Sequence, residues 1–203
     1  MKIENVSIRN QGYVECKAAF CSAQDLLSEN REYKFTTGIN RLVGEVDSGN
    51  WAVSYLLSMY IYRPEDFVLF GKTDVTVNYS TVISLNKFSE YTCYMDPVYP
   101  MFSTKKSVRT LILQGLEKNH TDCTPEYFKD MFCLDDQRFR RPLSQVGNEK
   151  FRAMAAVAIA HGKQVFCFPW FTQRRFEYYH ENLSVLLEML GSLGKIVILP
   201  VGF

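Results

Sequence analysis

Two glycines in the stretch GEVDSGNW, Gly44 and Gly49, have the separation of a phosphate-binding loop, whose pattern is G-x-x-x-x-G-K-[ST]. The chemistry of such a loop comes from a lysine that meets the phosphates and a hydroxyl that holds magnesium. Here Asn50 fills the lysine position and Trp51 the hydroxyl position, with Ser48 before the second glycine. An amide donates hydrogen bonds without charge, and an indole cannot ligate a metal. What survives is a glycine loop whose oriented N–H groups can hold an anion weakly. Glu45 and Asp47 set negative charge beside it. Taken alone, a glycine pair of this kind is common in unrelated chains.

Elsewhere the raw material for catalysis is thin. His161 and His180 lie on or beside helical stretches and read as solvated or hydrogen-bonded residues, not as bases. No Ser/His/Asp or Cys/His grouping has a recognisable local signature. His120, Cys123 and Cys133 form a loose group without the fourth ligand and tight pairing that zinc needs, so no metal site is expected. Six cysteines with no C-x-x-C, in a chain without a signal-like N-terminus, read as free thiols packed as small hydrophobes. RRFEYYHEN is basic and aromatic, a composition seen in nucleic-acid contacts, but one such stretch on a helix reads as a partly exposed face. The net charge of +1 argues in the same direction, against nucleic acid or an anionic membrane as partner. No apolar run approaches the roughly 20 residues of a spanning helix, so the expected location is the cytoplasm.

The elements that must position these residues follow from their periodicity. A chain of 203 residues, 47% of them hydrophobic, can build one domain with a full core or a domain with a small subdomain. KIENVSIRN alternates and predicts an opening strand, followed by a second in EYKFTTG ending at Gly38. INRLVGE predicts a short buried strand leading into the glycine loop. NWAVSYLLSMYIY then predicts a helix with Trp51, Tyr55, Leu56 and Met59 on one face. PEDFVLFGKTD and YSTVISLNKF predict further strands, with a turn at Gly71-Lys72. SVRTLILQGLEKN and TPEYFKDMF predict helices, the second N-capped by Thr124 with Pro125 at its first position. The alanine-rich EKFRAMAAVAIAHG predicts a helix stopping at Gly162, and KQVFCFPWF a buried strand. RRFEYYHENLSVLLEMLGSLG predicts a helix burying Leu183, Leu186, Leu187 and Leu190, with Gly194 past its end. KIVILPVGF predicts a last buried strand. The order argues for an α/β protein with a largely parallel central sheet, antiparallel N-terminal strands and a helical lobe near residues 97–150.

Read together, these segments resemble the nucleotide-binding domains of ABC (ATP-binding cassette) proteins, over most of the chain. GINRLVGEVDSGNWAVSYLLSM is similar to the stretch around the Walker A loop of that family, a P-loop NTPase-like fold. YMDPVYPMFSTKKSVRTLI resembles the Q-loop and the entry to the helical lobe. QVGNEKFR stands against a signature of the type L-S-G-G-E-K-Q-R, ahead of the alanine-rich helix and the Walker B strand. GKIVILPVGF resembles the strand that runs into the H-loop.

The resemblance implies a single ABC ATPase-like domain, with residues 1–96 and 151–203 as nucleotide-binding core. It also implies that nearly every reactive position has changed. The Walker A lysine and hydroxyl become Asn50 and Trp51; the Q-loop glutamine becomes Met95, followed by the expected acid, Asp96. The signature serine and second glycine become Val146 and Asn148 around a retained Gly147. The Walker B aspartate and catalytic glutamate become Pro169 and Trp170, and the H-loop histidine becomes Gly202. Reading Leu143-Ser144 as the start of the signature would put Gln145 and Val146 at its glycines and restores nothing. The expectation is therefore a pseudo-ATPase with no catalytic residues and no cofactor, weak ATP binding being an alternative. Its implied partners are a second copy or another ABC-type ATPase, and a membrane permease reached through the region CYMDPVYPMF. A soluble scaffold without a transporter and an enzyme of other chemistry are the alternatives.

Overall fold

The computed structural model describes residues 1–10, 13–16, 24–25, 32–44, 50–59, 67–70 and 73–203. Strands β1 (Asn5–Asn10), β4 (Glu32–Thr36), β7 (Thr73–Val77) and β8 (Thr81–Ser84) form an antiparallel sheet in the order β4-β1-β7-β8. The short β2 (Tyr13–Cys16), β3 (Gln24–Asp25) and β6 (Phe67–Phe70) form a second antiparallel sheet, in the order β3-β2-β6. The central sheet is parallel throughout: β5 (Gly38–Val43), β11 (Ile196–Val201), β10 (Val165–Cys167) and β9 (Thr92–Tyr94), in the order β5-β11-β10-β9. The helices are α1 (Asn50–Ser58), α2 (Leu85–Ser89), α3 (Val108–Lys118), α4 (Pro125–Met131), α5 (Asp136–Phe139), α6 (Lys150–Ala160) and α7 (Gln173–Ser192).

Successive strand residues point to opposite faces, and this period divides the parallel sheet between two cores. Val165, Cys167, Ile196 and Ile198 face a layer made by α1, α2 and the β4-β1-β7-β8 sheet. Phe166, Phe168, Val197 and Leu199 face α3, α4, α6 and α7. Covered on both sides, β10 and β11 can be apolar at almost every position, and their continuous hydrophobic runs have that cause. Buried in this way, the Cys93 thiol is pushed up to about 12, and Cys167 is raised well above the ordinary thiol range. Both are packing residues at neutral pH. Among the described residues no helix is long and apolar enough to cross a membrane.

Local chemistry accounts for most boundaries. Thr124 Oγ1 accepts from the Tyr127 N–H at 3.2 Å and caps α4, with Pro125 behind it where no donor is needed. Thr172 caps α7 through the Arg175 N–H at 3.1 Å, and the four predicted leucines of that helix are all buried. Gly162 and Gly194 take left-handed φ of 77° and 63° where α6 and α7 stop.

Four expectations need correction. The strand entering the glycine loop, β5, is an edge strand and not a buried one: Ile39 and Val43 are 43% and 54% exposed. The α1 helix ends at Ser58, Met59 being left-handed at φ 47°; of its predicted face Leu56 is buried, together with Val53 and Leu57, which lay outside that face. Tyr55 sits half-buried against Tyr94 with ring centroids 4.9 Å apart, and Met59 is also half-buried. Thr73–Val77 is a central strand, β7, and LNKFS after β8 is the helix α2, capped by Ser84. Finally, β10 spans only Val165–Cys167, because Pro169 cannot continue the ladder. The predicted turn at Gly71-Lys72 lies outside the described residues.

Candidate functional site

In open α/β sheets, ligands gather outside the carboxyl ends of parallel strands. At that end, three segments here are stitched by backbone hydrogen bonds. The Gly44 N–H donates to Val201 O at 3.0 Å, the Phe171 N–H to Pro200 O at 3.1 Å, and the Gly202 N–H to Phe171 O at 2.8 Å. The side chain joining all three is Trp170. Its indole Nε1–H donates to Gly44 O at 3.2 Å, and its ring lies against Gly202. A Cβ built on Gly202 would stand 2.7 Å from Trp170 Cζ2 and 3.3 Å from Cε2. The sites compared by resemblance to the first Walker A glycine, the catalytic glutamate and the H-loop histidine thus converge on one indole.

Trp170 is aimed by its neighbours. Phe168 and Phe171 are buried in the α6–α7 core, where Phe151 lies 6.1 and 6.3 Å from them and Tyr179 lies 6.4 Å from Phe171. With those two rings anchored on one side, the half-buried Trp170 packs on the other, against the core that holds Val53 and Tyr94. Pro169 is half-buried and offers no polar side-chain atom.

Asn50 opens α1, is 6% exposed, and donates from Nδ2 to Val43 O at 3.1 Å. The amide therefore ties the helix start to the end of β5. Trp51 follows it in α1. Ser48 and Gly49 lie outside the described residues, as do Glu45 and Asp47.

Met95 and Asp96 follow β9. Met95 is fully buried and its N–H extends the sheet to Cys167 O at 2.8 Å. Asp96 makes a turn, Oδ1 accepting from the Val98 N–H at 3.0 Å and its carbonyl from the Tyr99 N–H at 3.0 Å. The surrounding CYMDPVYPMF is mainly core: Cys93, Tyr94, Met95 and Phe102 are buried, Tyr99 and Met101 are half-buried, and Val98 is exposed.

Val146 lies between two short 3-10 turns, Leu143–Gln145 and Gly147–Glu149, that lead into α6, and Gly147 and Asn148 open the second. Val146 is a core residue, Gly147 is left-handed at φ 68°, and Asn148 Oδ1 accepts from Arg138 Nη1. The residue that organises this corner is one the motif comparison overlooked. Glu149, 7% exposed, accepts from the Asp135 N–H at 3.0 Å and Arg138 Nη1 at 2.9 Å, with Arg152 Nη2 3.8 Å away. A buried carboxylate is tolerable only with such partners, and two nearby arginines are the signal that could have found it. Among the described residues no hydrogen bond or ring contact joins this corner to Trp170, whose indole bonds to Gly44 O. Among the described residues no group of three His, Cys, Asp or Glu gathers as a metal-holding cluster.

A solved structure described as an ABC transporter ATP-binding protein, from Pyrococcus furiosus, aligns over 97% of this chain and 90% of its own with a TM-score of 0.60. The fold is similar to that of this ATP-binding protein. The two sequences are 14% identical, so the likeness speaks for the backbone and its order of elements. No protein-family model and no curated protein matches the sequence. The α/β architecture expected from the residues, a parallel sheet beside antiparallel ones, is the architecture found.

Proposed function

We propose that this chain is a non-catalytic ABC ATPase-like subunit, a pseudo-ATPase that keeps the fold for structure and docking. The observation that carries the reading is the Trp170 indole, bonded to Gly44 O and wedged against Gly202. Phosphoryl transfer in P-loop proteins depends on a lysine, a metal held by hydroxyl and aspartate, and a positioned water. At the corresponding positions stand an amide already bonded to Val43 O, a proline and an indole. A nucleotide and its magnesium do not fit these residues. Losing a phosphate-paired cation alone costs about 2–5 kcal/mol by analogy with truncated charge pairs, and here the water-handling acid and the γ-phosphate histidine are replaced as well. No hydrolytic step can be written through them.

What is left to such a domain is its surface. In this reading it pairs with a second copy or with an active ABC-type ATPase, and the assembly docks on a membrane permease. Two measurements test it together. The purified chain is expected to release no phosphate from magnesium-ATP above a protein-free blank, and affinity capture from its own cells is expected to bring down a permease with an ABC-type ATPase or a second copy. Turnover by the chain alone contradicts the non-catalytic role. Capture of soluble partners without a permease replaces the transporter subunit with a soluble scaffold.

A further inference from the structure

A hollow of about 450 Å3 opens between the start of α6 and the first half of α7, lined by Gly147, Asn148, Lys150, Phe151, Tyr178, Tyr179 and Asn182. Its volume lies within the range of small-molecule sites, roughly 300–1,000 Å3. No carboxylate lines it. Its single formal charge is Lys150, the first residue of α6, where the helix dipole disfavours a cation. Helix stability therefore does not account for a lysine there. The Lys150 ammonium lies 5.7 Å from the centroid of the Phe151 ring and pairs with no carboxylate among the described residues. The adjacent Glu149 is turned inward to Arg138 and Asp135.

The opposite wall is aromatic. Tyr179 is half-buried and fixed edge-on against Phe151 at 5.6 Å. Tyr178 is 82% exposed and meets Tyr179 at 5.0 Å, nearly perpendicular at 83°. Among the described residues neither phenol hydroxyl nor the Asn182 amide holds a side-chain hydrogen bond to another protein group. Burying 82%-exposed Tyr178 adds little to the fold, so its ring is available to a ligand. Nearby acids are turned aside: Glu177 Oε1 accepts from Gln173 Nε2 at 2.9 Å, and Glu181 is exposed one turn beyond Tyr178.

We propose that this hollow binds a small aromatic anion, with the planar ring against Tyr178 and Tyr179, the anionic group on Lys150, and Asn182 supplying a polar anchor. The site is separate from Trp170, and the pseudo-ATPase reading stands or falls independently of it. Aromatic phosphates and aromatic carboxylates share the required chemistry.

The test is a titration of the full chain with phenyl phosphate and with benzoate, followed by amide NMR, with inorganic phosphate and phenol as half-ligands. Saturable shifts are expected at Lys150, Tyr178 and Asn182, with each half-ligand binding about tenfold more weakly than phenyl phosphate, as loss of a charge-assisted bond or a stacked ring implies. Lys150→Gln and Tyr178→Ala are each expected to weaken binding about tenfold, while Lys150→Arg retains it within about twofold. The dispersion of each variant's spectrum reports folding separately. A preference for benzoate over phenyl phosphate would mark the source as a carboxylate, the reverse a phosphate. Equal binding of phenol and phenyl phosphate, shifts confined to other surfaces, unchanged affinity in Lys150→Gln, or no shift at about 20 mM ligand, a concentration covering any useful small-molecule affinity, would overturn the proposal.

Discussion

Gly202→Ala is expected to destabilise the protein by about 1–3 kcal/mol, the cost of overpacking a filled site. Most of that loss should disappear in a chain already carrying Trp170→Ala. The added Cβ would sit 2.7 Å from Trp170 Cζ2, inside any tolerable contact. An exposed ring could swing away at little cost. This one is half-buried, bonded through Nε1 to Gly44 O, and held by a segment whose flanking Phe168 and Phe171 are fully buried. Moving it breaks a hydrogen bond and opens packing against the core that contains Val53 and Tyr94. Trp170→Ala alone should cost about 3 kcal/mol, the low end for removing a tryptophan from a core. A double-mutant cycle by urea unfolding reads the coupling directly, with at least about 1 kcal/mol expected for groups in contact. Additive losses would mean that the indole does not brace this corner.

The second large effect is expected at Gly115, in the middle of α3. A Cβ there would lie 2.7 Å from Ala160 C, 2.7 Å from His161 Cδ2 and 2.8 Å from His161 N. Two of these are backbone atoms and cannot rotate away, so α3 and α6 would have to separate. The junction resists separation, because Asn119 Nδ2 donates to Gly115 O at 2.9 Å and Ala160 O at 2.8 Å, tying both helices together. His161 Nε2 also meets Leu111 O at 3.1 Å. Alanine normally gains about 1 kcal/mol over glycine inside a helix. Here an overpacking cost at the upper end of about 1–3 kcal/mol should outweigh that gain. The net loss, about 2 kcal/mol, corresponds to a fall in Tm of about 4–8 °C for a chain of this size. A Tm that stays level or rises in Gly115→Ala would contradict the close helix contact.

Elements with a strong local cause were legible in the sequence. The α4 cap at Thr124-Pro125, the leucine face of α7 and the stops at Gly162 and Gly194 each depend on residues within a few positions, and each is found. The partners of β5 are not local. An apolar run cannot say whether it lies inside a sheet or at its edge, and INRLVG lies at the edge. The α1 face was legible only in part for a related reason: helical periodicity offers several stripes, and the neighbouring sheet buries the expected Leu56 together with Val53 and Leu57, while Tyr55 and Met59 stay half-buried. At the site, the residue types at positions 50, 169, 170 and 202 are plain from the sequence. Their reciprocity is not, since the proximity of Trp170 to both Gly44 and Gly202 arises only when three strand ends meet. Glu149 was missed because its importance lies in burial with Arg138 and Arg152, not in a motif.

The central claim, a fold kept while its nucleotide chemistry is replaced, is tested most directly by calorimetric titration of the purified chain with ATP, with and without magnesium. The account predicts no magnesium-dependent binding up to millimolar ATP. Any weak magnesium-independent heat should be lost in Lys150→Gln, which would assign it to the hollow beside α7. Micromolar binding that requires magnesium would contradict the account, because no group at Asn50, Pro169, Trp170 or Gly202 can supply it.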